Sequence, residues 1–410
     1  MSRTTPKWEP VEGTLATPLG FRGAAIAAGI KKKRDALDLA MIFCDSPQTT
    51  AAGVFTTNRV AAAPVLLSQQ NLIDSRGRCR AIVANSGNAN ACTGRGGMNL
   101  ATETTRVTAE LLGVEPSQVL VASTGVIGVQ LDPQIILRQL PILKEKLSKE
   151  NAAGVPHAIM TTDTIPKICV VRSDVHGKTV HIAGVAKGAG MIHPHMATML
   201  SFITTDVSMG ERMLHNLLIA AAADSFNRVT VDGDTSTNDT VVALASGLSE
   251  AIVIPGNDSR KWFLEGLSLV CQTLARMMAR DGEGATKLVT VEVMGARTPL
   301  DADRAVRAIA NSLLVKTALG GADPNWGRII CAAGYSGAKF DPGKVDISVN
   351  DLVLCRKGVD PGFDEAAAHR ELAQKEIVIH VDLHAGRATA RMWTCDFTQE
   401  YLNINVSYRT

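Results

Sequence analysis

Short apolar runs alternate along the chain with longer stretches whose apolar residues recur every three or four positions, and this continues through both halves. The first pattern predicts strands and the second amphipathic helices, because side chains alternate faces along a strand and return to one face of a helix every 3.6 residues. "RAIVANSG" (Arg80 to Gly87) and "QVLVASTG" (Gln118 to Gly125) are apolar runs halted by Ser and Gly, as buried strands ending in tight polar loops would be. Helices are expected over Gly97 to Leu112 and Pro133 to Lys149. Ser208 with Glu211 three residues later predicts a capping box for a helix ending near Ala223. Asp258 is the expected cap of a helix from Ser259 to Arg280, stopped by Asp281-Gly282. "KLVTVEVMG" reads as a strand and Asp301 as the start of another helix. "EIVIHVDLH", "RATARMWT" and "LNINVSYRT" alternate in strand fashion, so the chain is expected to end on a strand, Asn405 to Thr410, held inside the fold.

This mixture favours an α/β (α+β) architecture over an all-helical one. Composition sharpens it: 46% of the 410 residues are hydrophobic but only 4% aromatic, which suits aliphatic helix layers packed on sheets around a large core. The 42 basic residues against 40 acidic ones give no broad field for nucleic acid or a membrane surface. The clustered basic run, Lys31-Lys32-Lys33-Arg34, reads as a solvated turn. Eight cysteines, at 44, 79, 92, 169, 271, 331, 355 and 395, lack C-x-x-C spacing and read as buried free thiols in a reducing compartment. "MSRTTPKWEPVEG" has no apolar signal core, and no apolar run reaches the roughly 18 residues that span a bilayer. A cytoplasmic protein is expected.

Candidate chemistry concentrates in "KGAGMIHPHMATMLSF", from Lys187 to Phe202. His193 and His195 flank a proline and face opposite ways in an extended segment, and His380 and His384 lie four apart in a strand-like run, so no metal site is expected. Gly188 and Gly190 begin a dinucleotide-like pattern, but His193 stands where its third glycine belongs. "NSGNANACTGRGG" could cradle a phosphate with backbone N–H groups, or be only a tight strand-to-helix connection; it lacks the Lys and hydroxyl of a P-loop. "VDGDTSTND" is acidic, able to line a cleft or bind a cation, and is assigned no catalytic role. "DPNWGR" suggests Asp323 as helix cap with Pro324 at the first helical position.

Ala197-Thr198 permits another chemistry. A threonine hydroxyl becomes a nucleophile when a base takes its proton, and its own α-amine, titrating near roughly pH 7.7 to 8, can do so once the preceding peptide bond is cut. Residue type alone leaves open that Thr198 simply opens a strand.

Taken together, "GFRGAAIAAGIK", "AAGVFTTNRVAAAPV", "NSGNANACTG", "STGVIG", "TTDTIPK", "KGAGMIHPHMATML", "VDGDTSTND", "DGEGATK", "DPNWGR" and "NVSYRT" resemble the ornithine acetyltransferase family, the glutamate N-acetyltransferases of arginine biosynthesis. The resemblance covers nearly the whole chain. It implies a sandwich with central β-sheets between helix layers, of the self-processing N-terminal-nucleophile type. It also implies a precursor cut between Ala197 and Thr198 into an α chain of 1 to 197 and a β chain of 198 to 410, forming one intertwined catalytic unit and an α2β2 heterotetramer. Thr198 matches the nucleophile, and Thr124 and Gly125 match the oxyanion hole. Thr161, Lys187, Thr198, Glu283, Asn405 and Thr410 match substrate-binding positions. The implied reaction is ping-pong transfer of acetyl from N-acetylornithine to glutamate without metal or organic cofactor, with acetyl-CoA left open as a second acetyl donor. The rival is a self-processing aminopeptidase or amidohydrolase that releases acyl groups to water.

Overall fold

The computed structural model describes residues 7–175, 177–193, 199–256 and 258–407. Its centre is a pair of stacked sheets. The first runs in the order Glu9–Val11, Lys167–Val175, Lys178–Lys187, Leu200–Thr205, Thr240–Ala245, Thr50–Phe55, with only Leu200–Thr205 and Thr240–Ala245 parallel. The second runs Phe21–Ile26, Leu39–Cys44, Ala81–Asn88, Val119–Val126, the last two parallel.

Strand alternation decides the layers. In the first sheet Val170, Val185, Phe202 and Val242 turn toward Ile42, Ile82 and Leu120 of the second sheet, while Val171, Ile182, Ile203 and Val241 turn away. These outward residues bury against Glu211–Ala223 and Asp258–Arg280, through Leu214, Leu218, Phe263, Leu267 and Leu274. On the far side of the second sheet Met41, Val83 and Val121 pack beneath Gly94–Leu112 and Leu140–Glu145. Runs apolar on both faces, such as Ala81–Ala84, are therefore required by the helix–sheet–sheet–helix order. This is the expected sandwich.

A third sheet, Leu352–Cys355, Asp346–Val349, Glu376–Asp382, Leu288–Ala296, Ala388–Cys395, has its own core with Pro299–Asn311, Trp326–Tyr335 and Glu365–Leu372. From its last strand the chain returns toward the central sheets.

Several local expectations are corrected. The stretch from Pro133 breaks into Pro133–Leu137 and Leu140–Glu145, because Pro141 has no N–H to continue a helix and sits in the first turn of a new one. Glu211–Ala223 starts from Gly210, with no capping box from Ser208. Ser208 is instead bridged to Ile252, its N–H donating to the Ala251 carbonyl. Thr298, not Asp301, caps Pro299–Asn311, and Asn325, not Asp323, caps Trp326–Tyr335. Cys92 and Cys331 are exposed, the other cysteines buried. Lys31 is half-buried, its ammonium donating to the Leu37 carbonyl at 2.8 Å, while Lys32 to Arg34 are solvated. Of the expected terminal strand, Asn405 to Thr410, the described residues 405–407 belong instead to a helix, Gln399–Ser407, and 408–410 lie outside the described residues. Asn405 donates to the Tyr401 carbonyl one turn back, and the ring of Tyr401 packs on Phe397, contacts that an extended chain would not make.

Candidate active site

Where strands of the two central sheets end together, a cavity of about 190 Å³ opens. Thr124, Gly125, Thr161, Lys187, Glu283 and Asn405, all singled out by the sequence, line it. Ala197, Thr198 and Thr410 lie outside the described residues, as does His195. Lys187, the last residue of its strand, is paired with Leu200 and, with Gly190 and Met191, lines the cavity.

Thr124 and Gly125 stand near the end of Val119–Val126, beside Ser86 and Gly87. Gly125 adopts φ +127°, a backbone reserved for glycine, and a Cβ there would lie 2.4 Å from the Gly87 carbonyl carbon and 2.6 Å from the Asn88 nitrogen. Two chain segments approach too closely for any side chain. The neighbouring glycine-rich loop is occupied by its own polar groups: Asn88 accepts from the Asn90 N–H, Asn90 donates to the Gly97 carbonyl, and Thr93 donates to Asn90. It connects Ala81–Asn88 to the helix Gly94–Leu112.

Lys187 is 2% exposed. Its ammonium donates to the Thr124 hydroxyl at 3.5 Å and lies 4.0 Å from the Asp163 carboxylate. Burial lowers its pKa, while Asp163, Glu283 and Asp239 act in the opposite direction. Behind it, Asp163 is pulled down to about 2: burial would raise it, and Lys187, Lys167 and the Gly188 N–H outweigh that effect.

Glu283 follows the end of Asp258–Arg280; its N–H donates to the Ala189 carbonyl and its carboxylate accepts from Asn405 at 2.8 Å. Asn405 and Tyr401, one helical turn apart, both reach the cavity, which is what the terminal helix accomplishes. Asp239, fully buried, accepts the Met199 N–H at 2.9 Å, and burial raises its carboxyl well above the usual range.

The acidic loop, given no catalytic role by the sequence, lines the same cavity through Asp232, Asp234, Ser236, Thr237 and Asn238. Asp232 accepts from the Met191 and Ile192 N–H groups and from the Tyr401 hydroxyl, so it ties this loop to the segment after Gly190. Burial raises the carboxyl of Asp232 and, with Asp232 itself, the phenol of Tyr401. Among the described residues, no group of three or more His, Cys, Asp and Glu side chains could hold a metal ion.

Gly190 gives a direct test of how closely this wall is fitted. A Cβ there would meet the Glu283 carboxyl carbon at 2.3 Å, so Gly190→Ala displaces that carboxylate from Asn405. On the substrate-binding role that the resemblance implies for Glu283, steady-state kinetics should show KM raised about tenfold, the loss of about one good hydrogen bond to a charged group. An unchanged KM would remove Glu283 from the binding set.

Residues 22–410 match the model of the ArgJ family. The chain belongs to this family. It is 49% identical over 408 residues to the arginine biosynthesis bifunctional protein ArgJ of Symbiobacterium thermophilum, covering 98% of this chain and 100% of that relative. To the protein of the same name from Dehalococcoides mccartyi it is 48% identical over 401 residues, 97% of this chain and 98% of the relative. A crystal structure of an ornithine acetyltransferase from Mycobacterium tuberculosis, complexed with ornithine, aligns over 47% of this chain and 100% of its own at 38% identity, with a TM-score of 0.43. As an ArgJ family member the chain is an acyltransferase of arginine biosynthesis.

Proposed function

We propose that this chain moves an acetyl group from N2-acetyl-L-ornithine to L-glutamate through an acetyl ester on Thr198, after cutting its own backbone between Ala197 and Thr198. The convergence of Thr124, Gly125, Thr161, Lys187, Glu283 and Asn405 on one cavity carries the reading. So does the position of Met199, one residue after the nucleophile, whose amide is fixed by Asp239.

In the first half-reaction the Thr198 hydroxyl oxygen attacks the acetyl carbonyl carbon and its own α-amine takes the proton. The negative charge forming on the carbonyl oxygen is met by the Thr124 hydroxyl and the Gly125 N–H, donors held near the end of one strand. The carbon–nitrogen bond then breaks and the ornithine nitrogen leaves with that proton. In the second half the glutamate amine attacks the ester, its proton passes through the α-amine, and the Thr198 oxygen departs with it. Lys187 holds the substrate carboxylate and Glu283 pairs with an ammonium or assists proton transfer. Thr161, Asn405 and Thr410 complete the binding set.

Cutting after Ala197 need not separate the pieces. The first sheet interleaves strands from both sides of the cut, with Lys178–Lys187 directly against Leu200–Thr205 and Thr240–Ala245 against Thr50–Phe55. We take chains 1 to 197 and 198 to 410 to remain one catalytic unit and to assemble as an α2β2 heterotetramer in the cytoplasm. Among the described residues no helix is long and apolar enough to cross a membrane.

Two measurements test the reaction. Acetyl-labelled N-acetylornithine incubated with glutamate should yield labelled N-acetylglutamate in equal amount to ornithine. Label released as free acetate would instead support the hydrolytic rival. The relatives are named bifunctional, which supports a second activity with acetyl-CoA as donor to glutamate. Free thiol should then appear in step with N-acetylglutamate when ornithine is absent; no thiol release restricts the chain to recycling acetyl groups.

A further inference from the structure

Behind the cavity lies a buried ion cluster whose members Asp163, Lys167 and Asp281 line none of its surface and have no place in the reaction just described, and which meets the cavity at Lys187. Lys167 and Asp163 have fully buried side chains, and Asp281 is 5% exposed. Lys167 donates to Asp163 at 2.7 Å and to Asp281 at 2.5 Å. Asp163 also accepts the Gly188 N–H at 2.7 Å and the Thr161 N–H at 3.0 Å, and its second oxygen lies 4.0 Å from the Lys187 ammonium. Asp281 accepts both the N–H and the hydroxyl of Thr164.

Such a cluster is a poor way to gain stability, because desolvating four charges costs about as much as their attraction returns, and an apolar filling often does as well. What it achieves is placement. Thr161, Lys187 and Glu283 enter the cavity from three separate segments, and each lies within two residues of a cluster member or is one itself. The charges also divide unevenly. Lys167 has close contacts to two carboxylates, whereas Lys187 has a single longer one and otherwise the Thr124 hydroxyl.

We propose that Asp163 is the positioning residue for Lys187, holding its ammonium loosely enough to be shared with a substrate carboxylate, and that the Lys167–Asp281 pair limits that hold by occupying the other side of Asp163. The inference rests on the functional reading above, in which Lys187 binds the substrate carboxylate. Its electrostatic content is specific. Lys187 is faced by Asp163, Glu283 and Asp239, which favour its charged form, and by Lys167, which opposes it; Lys31 also lies within the reach of its charge. Removing Asp163 should make Lys187 lose its proton more readily, and removing Lys167 together with Asp281 should make it hold the proton longer.

The experiment is a pH profile of kcat/KM for acetyl exchange by the processed enzyme. Asp163→Asn should raise KM for N-acetylornithine and for glutamate about tenfold or more, with a smaller change in kcat, and move the alkaline limb down by about 1 pH unit. The double variant Lys167→Gln/Asp281→Asn should move that limb in the opposite direction, and it remains available if Asp163→Asn does not fold. A merely structural role lowers activity in both variants and leaves the limb where it is; an unmoved limb in both, or equal shifts of one sign, overturns the proposal. Failure of the wild-type enzyme to exchange acetyl overturns the functional reading itself and is seen before any variant is made.

Discussion

Thr198→Ala is expected to remain a single 410-residue chain on a denaturing gel and to lose acetyl exchange by roughly 10⁴-fold or more. On the proposed mechanism the substitution removes the oxygen that attacks the backbone and the oxygen that later carries the acetyl group, which are the same atom. Thr198→Ser retains the hydroxyl and, after cutting, the α-amine. It should therefore yield two fragments, the second beginning at residue 198, and exchange acetyl at a reduced rate. N-terminal sequencing with an exchange assay on each variant checks both halves. A Thr198→Ala chain that is cut normally would leave the self-processing account without its nucleophile, and one that exchanges at the wild-type rate would remove the acetyl ester.

Gly125→Ala should lower kcat by about 10²- to 10³-fold, with a much smaller effect on KM, since an oxyanion donor acts on charge that exists only in the transition state. The cause is geometric. A methyl group at residue 125 would fall 2.4 to 2.8 Å from the backbone of Gly87 and Asn88, and φ +127° is itself strained for any L side chain. The strand end must move, and the N–H moves with it. Thr124→Val keeps the shape and deletes the other donor, so it should cost a comparable factor without disturbing the fold. The comparison separates loss of a donor from distortion of the loop. Equal kcat in Thr124→Val and wild type would take Thr124 out of the oxyanion hole.

Elements are legible in the sequence where burial itself writes the pattern. The runs 81–84 and 119–122 are apolar on both faces because each packs against a sheet on one side and helices on the other. Asp258–Arg280 is amphipathic because one face covers the first sheet. The reading failed where a short segment obeys distant partners. Alternation in "LNINVSYRT" suggested a strand, but Tyr401 and Asn405 meet Asp232 and Glu283 from one face of a helix. Ser208 had the spacing of a cap and was taken up by pairing with the 251–253 segment.

The cavity was legible in a similar, partial way. Its individual residues are named because their motifs resemble a family, and the acidic loop of Asp232 and Asp234 reads as able to line a cleft, but Tyr401 is not singled out: no local pattern says which tyrosine faces a given strand end. The Asp163–Lys167–Asp281 cluster left no trace at all, since Asp163 and Asp281 are far apart in the chain and become neighbours only in the folded protein.

Beyond the site residues, which its motifs supply only through resemblance to a family, the order of residues by itself determined which stretches are helix or strand through most of the chain and that helices would cover sheets. Both follow from side-chain period and burial, which are local properties. Tertiary structure alone decided that strands from both sides of the Ala197-Thr198 bond lie interleaved in one sheet, that the chain returns as a helix to line the cavity, and that three buried charges stand behind it against Lys187. Those outcomes depend on through-space distances between segments remote in the chain, and both the attraction of charges and the fit of atoms are set by distance in space rather than by separation along the backbone.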